Sequence, residues 1–154
     1  MSATTGTFLV TAADSEQAVL TEVRDGQVHT LGENPGLSED QIVEATISPV
    51  QPLEVVWTVD SLEDVRDVPV VVSDERPTRT SREIAADMDE GDLATRERAG
   101  DGEIHVITVP AEITADAVED VLDDEQTLRT AARLDVARVE VRSAPGVVTV
   151  RYLP

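Results

Sequence analysis

The apolar pattern of the chain changes period near its middle. From Gly6 to Asp74 apolar residues fall in short runs or alternate with polar ones, the signature of strands. GTFLVTAAD at 6–14 is an apolar run ended by a turn, and QAVLTEVRDGQVHTL at 17–31 holds two alternating segments around Asp25-Gly26. Asp-Gly is the dipeptide of two-residue hairpin turns, where both turn residues take positive φ. That turn sets Arg24 opposite Gln27, Val23 opposite Val28, Glu22 opposite His29 and Thr21 opposite Thr30. ENPGLS at 33–38 is a loop rich in breakers, and QIVEATISPV at 41–50 and LEVVWTVDSL at 53–62 read as further strands. DVPVVVSD at 67–74 reads as a sixth.

Beyond residue 102 strands and helices are mixed. EIHVITV at 103–109 is a strand, and residues 114–123 set Ala117, Val118, Val121 and Leu122 on one helical face. Asp123 and Gln126 have capping-box spacing for a second helix carrying Leu128, Ala131 and Ala132. DVARVEVR and GVVTVRYL then alternate around Ala144-Pro145-Gly146, where Pro before Gly fits a type II turn. The fold class this predicts is α+β. A small β-barrel at 5–73, OB-like or SH3-like, is joined by a polar linker with a short helix at 74–101 to a βααββ unit at 102–154. In the linker, Thr80 and Glu83 have capping-box spacing for a helix running to about Met88.

Composition narrows the class. The chain has 154 residues and a formal net charge of -20, yet Leu, Ile, Val and Phe are frequent enough for a folded aliphatic core. All twelve basic residues are arginine, and the aromatics are Phe8, Trp57 and Tyr152 alone. A chain this acidic repels itself, and molar salt screens that repulsion to about 3 Å, so the composition points to a salt-rich cytoplasm. With no cysteine there is neither a disulfide nor thiolate chemistry. The start reads as no signal peptide, and there is no apolar run long enough for a membrane span. A cytoplasmic protein is expected.

Sequence motifs of catalysis are missing: there is no phosphate loop, GxSxG or HExxH. DMDEGD at 87–92 has the composition of a calcium loop, but its Gly is fifth rather than sixth and Arg98 stands where the bidentate Glu belongs. His29 and His105 read as polar strand residues, and Asp116, Glu119, Asp120 and Asp123 as the solvated face of a helix. No catalytic residue, metal or cofactor is expected.

What remains is RPTRTSREIAADMDEGDLATRERAG at 76–100, with five of the twelve arginines, opposed by six acidic residues. It reads in two ways. Arg76, Arg79 and Arg82 could form an arm that binds nucleic acid or another anion, with Trp57 stacking a base. Alternatively the segment is a solvated connector, its arginines paired with neighbours such as Glu83, and Trp57 belongs to the core. The function expected is a non-catalytic protein-interaction or adaptor module with a protein partner or self-association. Binding of RNA or single-stranded DNA is the alternative. The terminal strand ending Tyr152-Leu153-Pro154 is a candidate edge for recruiting a partner strand.

TGTFLVTAAD, QVHTLGENPGL, ERAGDGEIHVITVP, AARLDVARVEVR and VRYLP together resemble a domain-of-unknown-function family of uncharacterised proteins from halophilic archaea. That resemblance implies a haloarchaeal cytoplasmic origin and no activity, ligand or catalytic residue. The first half also resembles small β-barrels in which a Pro-Gly loop leads into an Ile-Val-x-Ala strand, which favours a binding module.

Overall fold

The computed structural model describes residues 3–52, 55–97 and 102–154. Among these residues ten strands in two sheets and three α-helices make a mixed α+β protein. It divides into two units: residues through Val68 with Leu128–Arg133, and Pro69–Thr127 with Leu134–Pro154.

In the first unit β1 (Thr4–Ala13), β2 (Ala18–Glu22), β3 (Val28–Leu31), β4 (Ile42–Pro49) and β5 (Trp57–Arg66) close into a ring in the order β1-β2-β3-β5-β4. β1 serves both sides of the closure. Its first half pairs with β4 and its second half with β2, and a register shift between Val10 and Ala12 bends it. β3 meets β5 in parallel at Leu31 and Trp57. Alternation turns one face of each strand inward, and Phe8, Val10, Leu20, Leu31, Val43 and Ile47 fill the ring.

The β2–β3 hairpin departs from the expected pairing by two residues. Thr21 lies opposite Val28 and Leu20 opposite His29. Val23 leaves the hairpin ladder. It is buried, and its amide bonds to the Thr7 carbonyl of β1 at 3.1 Å. Of the two turn residues only Gly26 has positive φ, +75°. A Glu22 carboxylate oxygen accepts the amides of Arg24 and Asp25 at 2.8 and 2.6 Å, which stabilises the longer turn. The fifth predicted strand starts later, at Trp57; Leu53 and Glu54 lie outside the described residues.

The second unit holds a sheet of order β6-β9-β10-β8-β7, from β6 (Val70–Val72), β7 (Leu93–Glu97), β8 (Glu103–Thr108), β9 (Arg138–Ala144) and β10 (Val147–Leu153). Two expectations are corrected here. Val70–Val72, read as the last strand of the barrel, runs parallel to β9 in this sheet. The terminal strand, read as an edge, is central, with β9 on one side and β8 on the other. The edges among the described strands are β6 and β7. The Pro145-Gly146 turn joins β9 to β10 as the sequence predicts, with Ala144 opposite Val147 and Gly146 at φ +84°.

Residues read as a polar linker hold two elements of this unit, α1 (Arg79–Ala86) and β7. Thr78, not Thr80, caps α1. Its hydroxyl accepts the Ser81 amide at 3.2 Å, and Pro77 precedes it. α1 lies against β8 and β10 on the face of Ile104 and Val106. α2 (Thr114–Asp123) covers the opposite face, where Val118 packs with Val141 and Val148. Ala117 and Val121 join that cluster, whereas Leu122 stays exposed. α3 (Glu125–Arg133) is started by Asp124 rather than Asp123: the Asp124 carboxylate accepts the Gln126 amide at 2.9 Å.

Candidate functional site

The groove of about 460 Å3 in the second unit is built where α1 crosses the ends of β8 and the β9–β10 turn. Helical spacing sets Arg82 and Ala86 near one another, and Ala85 faces the sheet. Beyond the helix end comes Met88. Together with Val109 and Pro145 these give the groove an apolar floor. Arg76, on the segment that leaves β6, and Arg82 stand on its rim. Both are exposed, and neither guanidinium has a carboxylate partner among the described residues. Glu90 contributes one acidic group to the lining.

Arg76 owes its position to a cluster of charges on the same face of the sheet. Arg142 lies opposite Thr149, and Glu140 opposite Arg151. Glu140 Oε1 accepts Arg142 Nε at 2.6 Å and Arg151 Nη1 at 2.8 Å, with the three side chains between 13% and 17% exposed. Arg142 Nη2 meets Glu75 at 2.8 Å, and its Nη1 donates to the Arg76 carbonyl at 3.5 Å. The guanidinium therefore ties the strand leaving β6 to the sheet through three donors. Burial pushes the Glu140 carboxyl up, but the hydrogen bonds and charges of Arg142 and Arg151 outweigh it and leave the group below its ordinary range.

The predicted arginines separate. Arg76 and Arg82 share the groove. Arg79 points elsewhere and pairs with Glu83 one turn along the helix at 3.1 Å, both side chains exposed. Trp57 belongs to the first unit. It is half-buried against the ring core, and its ring stands at 80° to that of His29 with 4.5 Å between centroids. His29 is not the surface partner of Glu22 that the expected register made it. It is buried inside the ring between Phe8 and Trp57, and its Nδ1 has no hydrogen-bond partner among the described residues. His105 does point away from Ile104 and Val106, where Glu103 bonds it at 3.1 Å and Tyr152 packs against it.

The Glu140 cluster was missed in the sequence, although the signal was there. A two-residue turn at Pro145-Gly146 fixes Glu140 opposite Arg151, and alternation puts Arg142 on the same side. Only the approach of the segment at 75–76 depends on the fold.

With this geometry in place, comparison with protein families matches residues 4–143 to the family of unknown function DUF5812. The chain belongs to the DUF5812 family. The strands of this DUF5812 protein through Ser143 of β9, α1 and the groove residues Arg76 and Arg82 lie within the matched span, whereas Ala144 to Val147 of the groove lining and the rest of β10 follow it. No curated protein and no solved structure matches the chain. No helix of the described residues is long and apolar enough to cross a membrane.

Proposed function

We propose that this DUF5812 protein is a non-catalytic binding module that takes an acidic segment of a protein partner into the groove of its second unit. The observation that carries this is the pair Arg76 and Arg82 on an apolar floor, neither of them paired with a carboxylate among the described residues of a chain with 32 acidic residues. Where acids outnumber arginines so heavily, pairing is the default, and Arg79 follows it with Glu83. Two guanidinium forks over Met88 and Pro145 suit carboxylates carried beside apolar side chains. Arg142 holds the backbone of Arg76, which lowers part of the ordering cost of binding.

We also read the ring as OB-like. The closed five-stranded order with one parallel contact between β3 and β5 favours that class over an SH3-like one. This supports a second reading, binding of single-stranded nucleic acid with Trp57 as the stacking residue. The ring argues against it on charge, since Arg24 and Arg66 are the only cations of its strands and turns amid Asp and Glu. The lack of lysine and the acidic surface fit a salt-rich, haloarchaeal cytoplasm.

Fluorescence anisotropy decides between the readings. A labelled Glu- and Leu-containing decapeptide and a labelled oligothymidylate are titrated against the wild type and the Arg76→Ala/Arg82→Ala variant in about 1 M KCl, where long-range repulsion is screened. The expected result is peptide binding that weakens at least tenfold in the variant. Peptide binding indifferent to both arginines overturns the groove, and oligonucleotide binding lost on Trp57→Ala replaces it with the second reading.

A further inference from the structure

On the other side of α1 the second unit has a separate, more enclosed cleft of about 310 Å3. One wall is aliphatic, from Ile84 on α1 and Ile104 and Val106 on β8. Thr78, Thr80 and Ser81 add hydroxyl groups to the lining. Ser81 is almost wholly buried, and its hydroxyl is joined to that of Thr78 at 3.0 Å.

Arg96 stands at the side of this cleft. The β7–β8 register sets it directly opposite Ile104, so its side chain rises on the face that α1 covers. Its Nη1 donates to the Thr95 carbonyl at 2.9 Å, and no carboxylate among the described residues pairs with it. Four of the five guanidinium N–H donors are left for a ligand. Glu97, the next residue, also borders the cleft, but alternation along β7 sends its carboxylate to the other face of the sheet.

We infer that this cleft binds a small aliphatic carboxylate, its hydrocarbon body against Ile84, Ile104 and Val106 and its carboxylate on Arg96. The volume is at the small end for ligand sites, roughly 300–1,000 Å3, which selects a short branched chain over a larger ligand. A fixed cation beside an apolar wall discriminates a carboxylate from its neutral isostere, because only the charged group takes the bidentate hydrogen bond. The site is independent of the groove at Arg76 and Arg82, with which it shares no residue.

The test uses the full chain and two probes of the same shape, 4-methylpentanoate and 4-methylpentanamide. Binding is followed by amide chemical shifts. Saturable shifts at Thr80, Ser81, Ile84 and Ile104 are expected with the carboxylate, and binding at least tenfold weaker with the amide. Arg96→Gln, an exposed edge position, abolishes that preference while leaving the acidic-peptide affinity unchanged. Ile84→Phe fills the cleft and weakens both probes. Equal binding of carboxylate and amide, absence of saturable shifts, or a carboxylate preference that survives Arg96→Gln each overturns the proposal.

Discussion

The indole of Trp57 stands nearly perpendicular to the imidazole of His29, 4.5 Å away between ring centroids, against a ring core filled mostly by aliphatic side chains. Phe8 meets the same imidazole edge-on at 5.8 Å. Three of the larger rings of an aromatic-poor chain thus converge on one point. The imidazole there is buried, which disfavours its charged form.

This geometry makes His29 a source of acid sensitivity. Burial lowers its pKa, and the charges of Asp25 and Glu22 offset that only in part. A histidine depressed in the folded state binds its proton more readily when unfolded. Its stabilising contribution is therefore complete above the ordinary value of 6.5 and lost as pH falls below it, toward the folded value. His29→Leu keeps the volume and removes the unpartnered Nδ1, so at pH 8 it is expected within about 1.5 kcal/mol of wild type. At pH 5 it is expected to be the more stable of the two. Urea midpoints at both pH values check this; parallel losses in the two proteins would assign the sensitivity to another group.

Glu140 behaves in the opposite sense. Two guanidinium groups hold its carboxylate charged, so its contribution is present above the ordinary value of 4.5 and lost as pH falls through and below it. Glu140→Ala leaves Arg142 and Arg151 facing each other in a mostly covered site and is expected to cost about 3 kcal/mol. It also frees the Arg142 guanidinium that holds the Arg76 carbonyl, so affinity at the groove falls with stability. Arg142→Met separates the effects: a folded variant with weakened peptide binding is expected, read by thermal unfolding and anisotropy together.

Arg79 serves as the control for the groove. Its pair with Glu83 is exposed on both sides and lies on the helix surface, where such pairs contribute well under 1 kcal/mol. Arg79→Ala is expected to shift stability by less than about 0.5 kcal/mol and to leave peptide affinity unaltered. A loss equal to that of Arg82→Ala would mean that charge density along α1, rather than the groove, attracts the ligand.

Salt stabilises this protein if its charge is the main obstacle to compaction. With a net charge of -20, the melting temperature is expected to rise with KCl, most steeply as the screening length drops from about 10 Å at 0.1 M to about 3 Å at 1 M. Calorimetry in KCl against sucrose of equal osmolality separates screening from solute exclusion. A melting temperature that follows sucrose as closely as KCl would remove the electrostatic account.

The sequence by itself determined whatever depends on local pattern. Alternation and turn chemistry placed the strands of the first unit, the β9–β10 hairpin with its positive-φ Gly146, and the direction of His105 away from Ile104 and Val106. Helical spacing placed α2 and the Arg79–Glu83 pair. Tertiary structure decided the choice of partners. Val70–Val72 is apolar at every position and fits either sheet by pattern, so only the approach of β9 assigns it. The β2–β3 register slipped by two, a step that preserves which face each residue shows, so alternation cannot detect it; the bond from Val23 to Thr7 of the neighbouring strand β1 does. The separation of Arg76 and Arg82 from Arg79 has the same cause. Their spacing in the chain is fixed by the helix, but which of them borders an apolar groove depends on where the β9–β10 turn comes to lie, a contact between residues some sixty positions apart.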